Sequence, residues 1–203
     1  MAEICRKTPP LCGACGRSCR AQAVICNACA RQLAAAEPLL GIGPPGLDRV
    51  WSSAPFEGVA RDLVAALRFR RSVSAASLLA DRIEWLAPRH MLSGTIVPVP
   101  AERRGSRRTR FEPIGELAAA LAERLEAPLD RCLERRSPGP LTGGRRRHKS
   151  PGPPAIRATG AAPRSVILLD DVLERGATLT ACARALRAAG ASRVVAVTVV
   201  RRV

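Results

Sequence analysis

The apolar positions of the chain change their spacing from segment to segment, and the sharpest change lies near its end. Residues 165–169, Ser-Val-Ile-Leu-Leu, are apolar almost without interruption, the pattern of a strand buried on both faces of a parallel sheet. Asp170 and Asp171 close that run. Leu179, Cys182, Leu186 and Ala189 then recur at helical spacing up to Gly190, and residues 194–200 form a second continuous apolar run. Strand, helix and strand within about 35 residues predict a right-handed parallel unit.

Weaker forms of the same signals precede it. Residues 30–36 predict a short helix, and residues 38–48, rich in Pro and Gly, a linker. Residues 50–56 predict a strand. Residues 58–72 carry an apolar stripe of Val59, Leu63, Val64 and Leu67 with Arg61, Asp62 and Arg68 outside it, an amphipathic helix, and a second helical pattern spans 74–86. Residues 95–100, Thr-Ile-Val-Pro-Val-Pro, predict a short strand stopped by its prolines, and 114–125 a further helix. The expected architecture is an α/β domain over 50–203, its parallel sheet flanked by helices, behind a small cysteine-rich unit over 1–37.

Composition alters this picture in two ways. Apolar residues make up 47% of the chain while aromatics are 2% and Tyr is absent, so Ala, Val and Leu must fill the core and the helices are expected close to the sheet. The 33 basic against 17 acidic residues give a net charge of +16, which attracts nucleic acid or phosphorylated ligands. Aromatic platforms for stacking on bases are nearly missing. The charge gathers in two loops: residues 101–111 hold five arginines and one acid, and residues 135–154 hold five prolines, four glycines and six basic residues with no acid. The first follows a strand, placing positive groups at the sheet edge where open α/β folds bind ligands; the second reads as a loop without packed structure. No run approaches the roughly 18 apolar residues that span a bilayer. The opening residues lack a signal peptide's apolar core, and a cytoplasmic protein is expected.

Six of the eight cysteines lie in the first 29 residues. Cys12 and Cys15 form one Cys-x-x-Cys knuckle, Cys26 and Cys29 another, with ten residues between them. That spacing brings four thiolates within tetrahedral reach of one Zn²⁺, and a segment too short to bury a core would draw its folding energy from the metal. Gly13 and Gly16 suit the turns that aim amides at the sulfurs, and Arg17, Arg20 and Arg31 offset the site's negative charge. Cys5 and Cys19 stand as alternative ligands. Disulfides are the competing reading, disfavoured by a reducing compartment. A four-thiolate site leaves no open coordination position, so the metal's expected role is structural. Cys132 and Cys182 read as small core residues. His90 and His148 lack the neighbours of a catalytic base.

At the other end, adjacent carboxylates on a strand alternate in direction, so one of Asp170 and Asp171 can face a ligand while the other braces the backbone. A carboxylate can accept hydrogen bonds from the neighbouring hydroxyls of a ribose. Arg175, Gly176, Ala177 and Thr178 then lead into a helix N-terminus, whose free amides and positive dipole end suit a phosphate. Gly176 permits close approach, and Thr178 supplies a hydroxyl as N-cap or phosphate donor. The alternative is that the acids merely end a strand and the turn merely caps a helix.

The stretch from Val166 to Leu186, VILLDDVLERGATLTACARAL, resembles the signature of type I phosphoribosyltransferases. Together with the double Cys-x-x-Cys, the basic ALRFRRS stretch and Pro98-Val99-Pro100 followed by arginines, nearly the whole chain resembles the ComF competence family. That resemblance implies a type I phosphoribosyltransferase fold behind an N-terminal zinc ribbon. It implies that Asp170 and Asp171, the catalytic pair, contact ribose hydroxyls, that Gly176, Ala177 and Thr178 hold the 5-phosphate, and that the loop with Arg103 and Arg104 faces pyrophosphate and Mg²⁺. Residues 135–160 would be the lid. The implied ligand is 5-phosphoribosyl 1-pyrophosphate (PRPP), and the implied partners are single-stranded DNA and a helicase-like competence protein during DNA uptake. The chain departs from the family where Thr-Thr-Gly is replaced by Glu174-Arg175-Gly176, where Arg-Gly-Phe-Asn-Gln is replaced by Thr109-Arg110-Phe111-Glu112-Pro113, and at Pro140, where the lid has Gln. Three functions follow: a phosphoribosyltransferase, a non-catalytic nucleic-acid or protein adaptor with a degenerate PRPP site, or a structural remnant with no ligand.

Overall fold

A computed structural model of the chain describes residues 10–101, 111–135 and 154–202. In chain order the first elements are α1 (Asn27–Ala35), β1 (Leu39–Gly41), β2 (Arg49–Pro55), α2 (Gly58–Phe69), α3 (Val73–Leu86) and β3 (Thr95–Pro98). They are followed by α4 (Pro113–Leu125), β4 (Leu133–Arg135), β5 (Ile156–Ala158), β6 (Ser165–Leu173), α5 (Ala177–Ala188) and β7 (Arg193–Arg201). Five strands form one sheet in the order β1–β2–β7–β6–β3, and β4 and β5 pair separately.

The continuous apolar runs lie at the centre of this sheet, as their lack of alternation requires. β6 pairs in parallel with β7, Ile167 opposite Val195 and Asp170 opposite Thr198, and with β3 on its other side. One face packs Ile167, Leu169, Val195 and Val197 against Leu63 and Leu67 of α2, Leu79 and Ile83 of α3, and Leu117 and Leu121 of α4. The opposite face packs Val166, Leu168, Val194 and Ala196 against Leu179, Cys182 and Leu186 of α5 and against Leu133 of β4. Each Val, Leu or Ile among these contributes about 1.5–3 kcal/mol on leaving water. Alanines 75, 76 and 80 on α3 are fully buried, which lets that helix lie close, as the composition predicts. Two hydroxyls inside the sheet satisfy one another, Ser52 Oγ and Thr198 Oγ1 at 2.6 Å.

Several expectations are corrected. The sheet is mixed rather than purely parallel, because β1 forms within residues 38–48 and pairs antiparallel with β2, Leu40 opposite Trp51. The remainder of that segment packs along α5: Asp48 accepts from Arg187 at 2.7 Å and from the Val194 amide at 2.8 Å. β6 does not stop at the acids but runs through them to Leu173, because Val172 and Leu173 keep their pairing with Val200 and Arg201. β4 ends on Arg135, the first residue of the stretch read as an unpacked loop, and β5 lies just past that stretch, within the lid expected over 135–160; residues 136–153 lie outside the described residues. Leu129 makes a parallel bridge with Ile96, carrying the chain around the β3 edge from α4 to the α5 face. Among the described residues, the cysteine-rich unit has no separate core. Cys12, Cys29 and Leu33 belong to the same buried cluster as α2 and α3.

Candidate functional site

Two sites are built from the residues singled out above. The first is the cysteine cluster. A turn closed by Cys12 N donating to Arg17 O at 2.7 Å, with Gly16 at φ +72°, brings Cys12 and Cys15 together. The start of α1 supplies Cys26 and Cys29. The four sulfurs all lie within 4.8 Å of one another, and Cys15 Sγ stands 3.8 Å from Cys26 Sγ. A tetrahedron with Zn–S bonds of about 2.3 Å has an edge of about 3.8 Å, so the cluster is already near the size of a four-thiolate metal site. The Cys26 amide donates to Cys12 Sγ at 3.2 Å, the amide-to-sulfur contact that steadies a thiolate.

The electrostatics point the same way. Arg17, by hydrogen bonding, draws the Cys15 thiol down to about 6. Burial opposes ionisation of Cys12, but the amides of Cys26, Cys15 and Ala14 outweigh it and lower its pKa. Cys29 is pushed up to about 12, first by burial and then by the Cys15 and Cys26 sulfurs. Four sulfurs this close cannot all ionise unless a cation sits among them, so the cluster could hold a metal ion. Cys19 is not part of it, since its thiol donates to the carbonyls of Pro10 and Ala23 at 3.4 Å. Cys5 lies outside the described residues.

The second site is the end of β6. Asp170 and Asp171 take opposite faces of the sheet. Asp170 is 9% exposed, turns toward the α5 side where Cys182 lies, and accepts the Asp171 amide at 2.9 Å. Burial, and next the Asp171 charge, push its carboxyl up to about 8. Asp171, 1% exposed, is gripped by Arg68 of α2, whose Nε and Nη2 donate to its two oxygens. Sequence reading placed Arg68 on the outer face of its helix; the structure folds it back onto an acid 103 residues away. The signal was present in ALRFRRS, but helical periodicity alone assigns such a side chain to solvent. As they stand, neither carboxylate is arranged as a metal ligand: Asp170 is buried and accepts the Asp171 amide, and both oxygens of Asp171 are taken by a guanidinium. The two acids therefore do not fit a resident Mg²⁺.

Beyond them, Gly176 is itself the N-cap of α5 at φ +72°, a left-handed conformation that glycine adopts without strain. Thr178 is thus not the N-cap but lies in the first turn. By helix geometry the amides of Ala177, Thr178 and Leu179 have no carbonyl four residues earlier in the helix. A Cβ at Gly176 would stand 2.5 Å from Pro44 Cγ, so the linker also closes over this turn. Glu174 is drawn outward by Arg202 at 3.1 Å, and Arg202 also lies over the Phe56 ring. Arg175 is exposed.

Comparison of the chain with models of known protein families and with curated proteins finds no match. Arg103, Arg104, Pro140 and His148 lie outside the described residues. His90 sits in a short 3-10 turn, where its carbonyl accepts from Arg193. Phe69 and Trp85 are 80% and 84% exposed, so two of the few aromatics face solvent after all. Among the described residues, no helix is long and apolar enough to cross a membrane.

Proposed function

We propose that the chain is a cytoplasmic, ComF-like member of the type I phosphoribosyltransferases that binds a ribose 5-phosphate ligand, PRPP with Mg²⁺, at the carboxyl end of β6. The observation that carries this reading is the short path from two buried acids to a glycine-started helix, with Glu174 turned away toward Arg202. Asp170, or Asp171 once released by Arg68, would accept from ribose hydroxyls. The amides at Ala177 and Thr178 would meet the 5-phosphate, with Arg175 beside them. Mg²⁺ would arrive with the pyrophosphate, which Arg103 and Arg104 would face. Transfer of the phosphoribosyl group would rest on stabilising a cationic sugar and the departing pyrophosphate. In the ribbon we read the ion as a structural zinc held by Cys12, Cys15, Cys26 and Cys29.

Isothermal titration with PRPP–Mg²⁺ tests the ligand. Wild-type protein should give binding heat that Asp171→Asn abolishes; no heat at millimolar ligand would end the reading. The grip of Arg68 on Asp171 favours a second function, a non-catalytic adaptor acting through its positive charge on single-stranded DNA and a helicase-like partner. That function predicts salt-dependent DNA binding that weakens when Arg145, Arg146 and Arg147 are neutralised.

A further inference from the structure

The two sites meet at one helix end. α2 finishes at Phe69, and the next residues turn sharply: Arg71 takes the left-handed φ of +54°, and the Ser72 amide reaches back to Ala66 O at 3.2 Å before its hydroxyl caps α3. Two arginines, two residues apart, stand at the end of α2 just before Arg71. Arg68 reaches inward and forks both oxygens of Asp171. Arg70 reaches the other way and donates from Nη2 to the carbonyl of Gly13, inside the first cysteine knuckle. Gly13 is itself fixed, its amide donating to Val24 O at 2.8 Å, and a Cβ there would press on that oxygen at 3.0 Å.

The helix end has little freedom to move alone. Ala66 and Leu67 are fully buried, and Cys12, Cys29 and Leu33 lie in the same cluster. A second guanidinium closes the junction. Arg82, almost fully buried, donates to Ala36 O at 2.5 Å, just past α1, and to Ser53 O of β2 at 2.9 Å. Among the described residues it has no carboxylate partner, so its contacts serve to clamp the end of the ribbon's helix to the sheet.

We propose that Arg68 is a positioning residue for Asp171, and that the four-cysteine centre governs it through Arg70, so that metal occupancy and the arrangement of the acid pair are energetically coupled. A bidentate guanidinium–carboxylate fork is strict in geometry, so a small shift of the α2 end breaks its register. Metal held by Cys12 and Cys15 fixes the Gly13 carbonyl, that carbonyl holds Arg70, and the rigid turn holds Arg68. The consequence for PRPP rests on the function proposed above; the coupling itself does not.

Linkage supplies a test that needs no ligand, because coupling is reciprocal. The zinc affinity of the full chain is measured by equilibrium competition with a chromophoric chelator, for wild type, Asp171→Asn, Arg68→Lys and the control Asp48→Asn. Asp48 also makes an ion pair, with Arg187, but on the α5 side of the sheet, opposite the cluster that holds Cys12 and Cys29. Arg68→Lys keeps the charge and loses the fork, so it serves even if Asp171→Asn fails to fold. Both site variants should bind zinc about fivefold more weakly than wild type, with the control unchanged. Wild-type zinc affinity in folded Arg68→Lys overturns the coupling whatever PRPP does. Weaker zinc binding by Arg68→Lys, in a protein whose wild type binds no PRPP, upholds the coupling and removes the ribose-phosphate reading alone.

Discussion

Asp170→Asn changes one atom at a buried position, and the structure says how its effect must depend on pH. The folded carboxyl is pushed from an ordinary value of 3.8 up to about 8 by burial, with the neighbouring Asp171 charge adding to it. Below the unfolded value both states hold the proton, and the stability conferred by Asp170 is fully present. As pH rises, the unfolded chain gives up that proton first, so this stability is lost progressively until the folded carboxyl also ionises near 8. The slope is about 1.4 kcal/mol per pH unit and the full loss is on the order of 5 kcal/mol. Asparagine keeps the oxygen that accepts the Asp171 amide and carries no ionisation. Urea unfolding of both proteins at matched pH, from about 5.5 to about 8, should therefore show the variant gaining some 3 kcal/mol on wild type across that range. A difference that stays flat with pH would refute the claim that Asp170 is a desolvated, protonated acid.

Other outcomes follow from single contacts. Native mass spectrometry should find one zinc per chain, retained in Cys19→Ser and lost in Cys29→Ser, since only the latter sulfur lies in the cluster. Gly176→Ala must adopt φ +72° and meet Pro44, and should cost about 2–3 kcal/mol in urea unfolding. Ser52→Ala should cost about 1–2 kcal/mol by stranding the Thr198 hydroxyl, whereas Ser52→Ala with Thr198→Val should recover most of it, a coupling that a double-mutant cycle reads directly.

Much of the architecture was legible because it depends on local pattern. Unbroken apolar runs at 165–169 and 194–200 have no stable place except the middle of a sheet, and the period of Leu179, Cys182 and Leu186 commits that stretch to one helix face. Paired Cys-x-x-Cys knuckles announce their own convergence, because each holds two sulfurs one turn apart. β1, β4 and β5 were not legible: each is three residues long, too short for a period, and exists only because a partner strand offers its amides.

The site divides along the same line. From the sequence alone come the two acids, the glycine before the helix and the four sulfurs, all set by spacing within a few residues. Only the tertiary structure decides that β6 continues through the acids, that Arg68 closes on Asp171, and that Arg70 ties the same turn to Gly13. Those contacts join residues 103 and 57 positions apart, and an arginine's long, flexible side chain reads as solvent-facing until a buried carboxylate or carbonyl is placed within its reach.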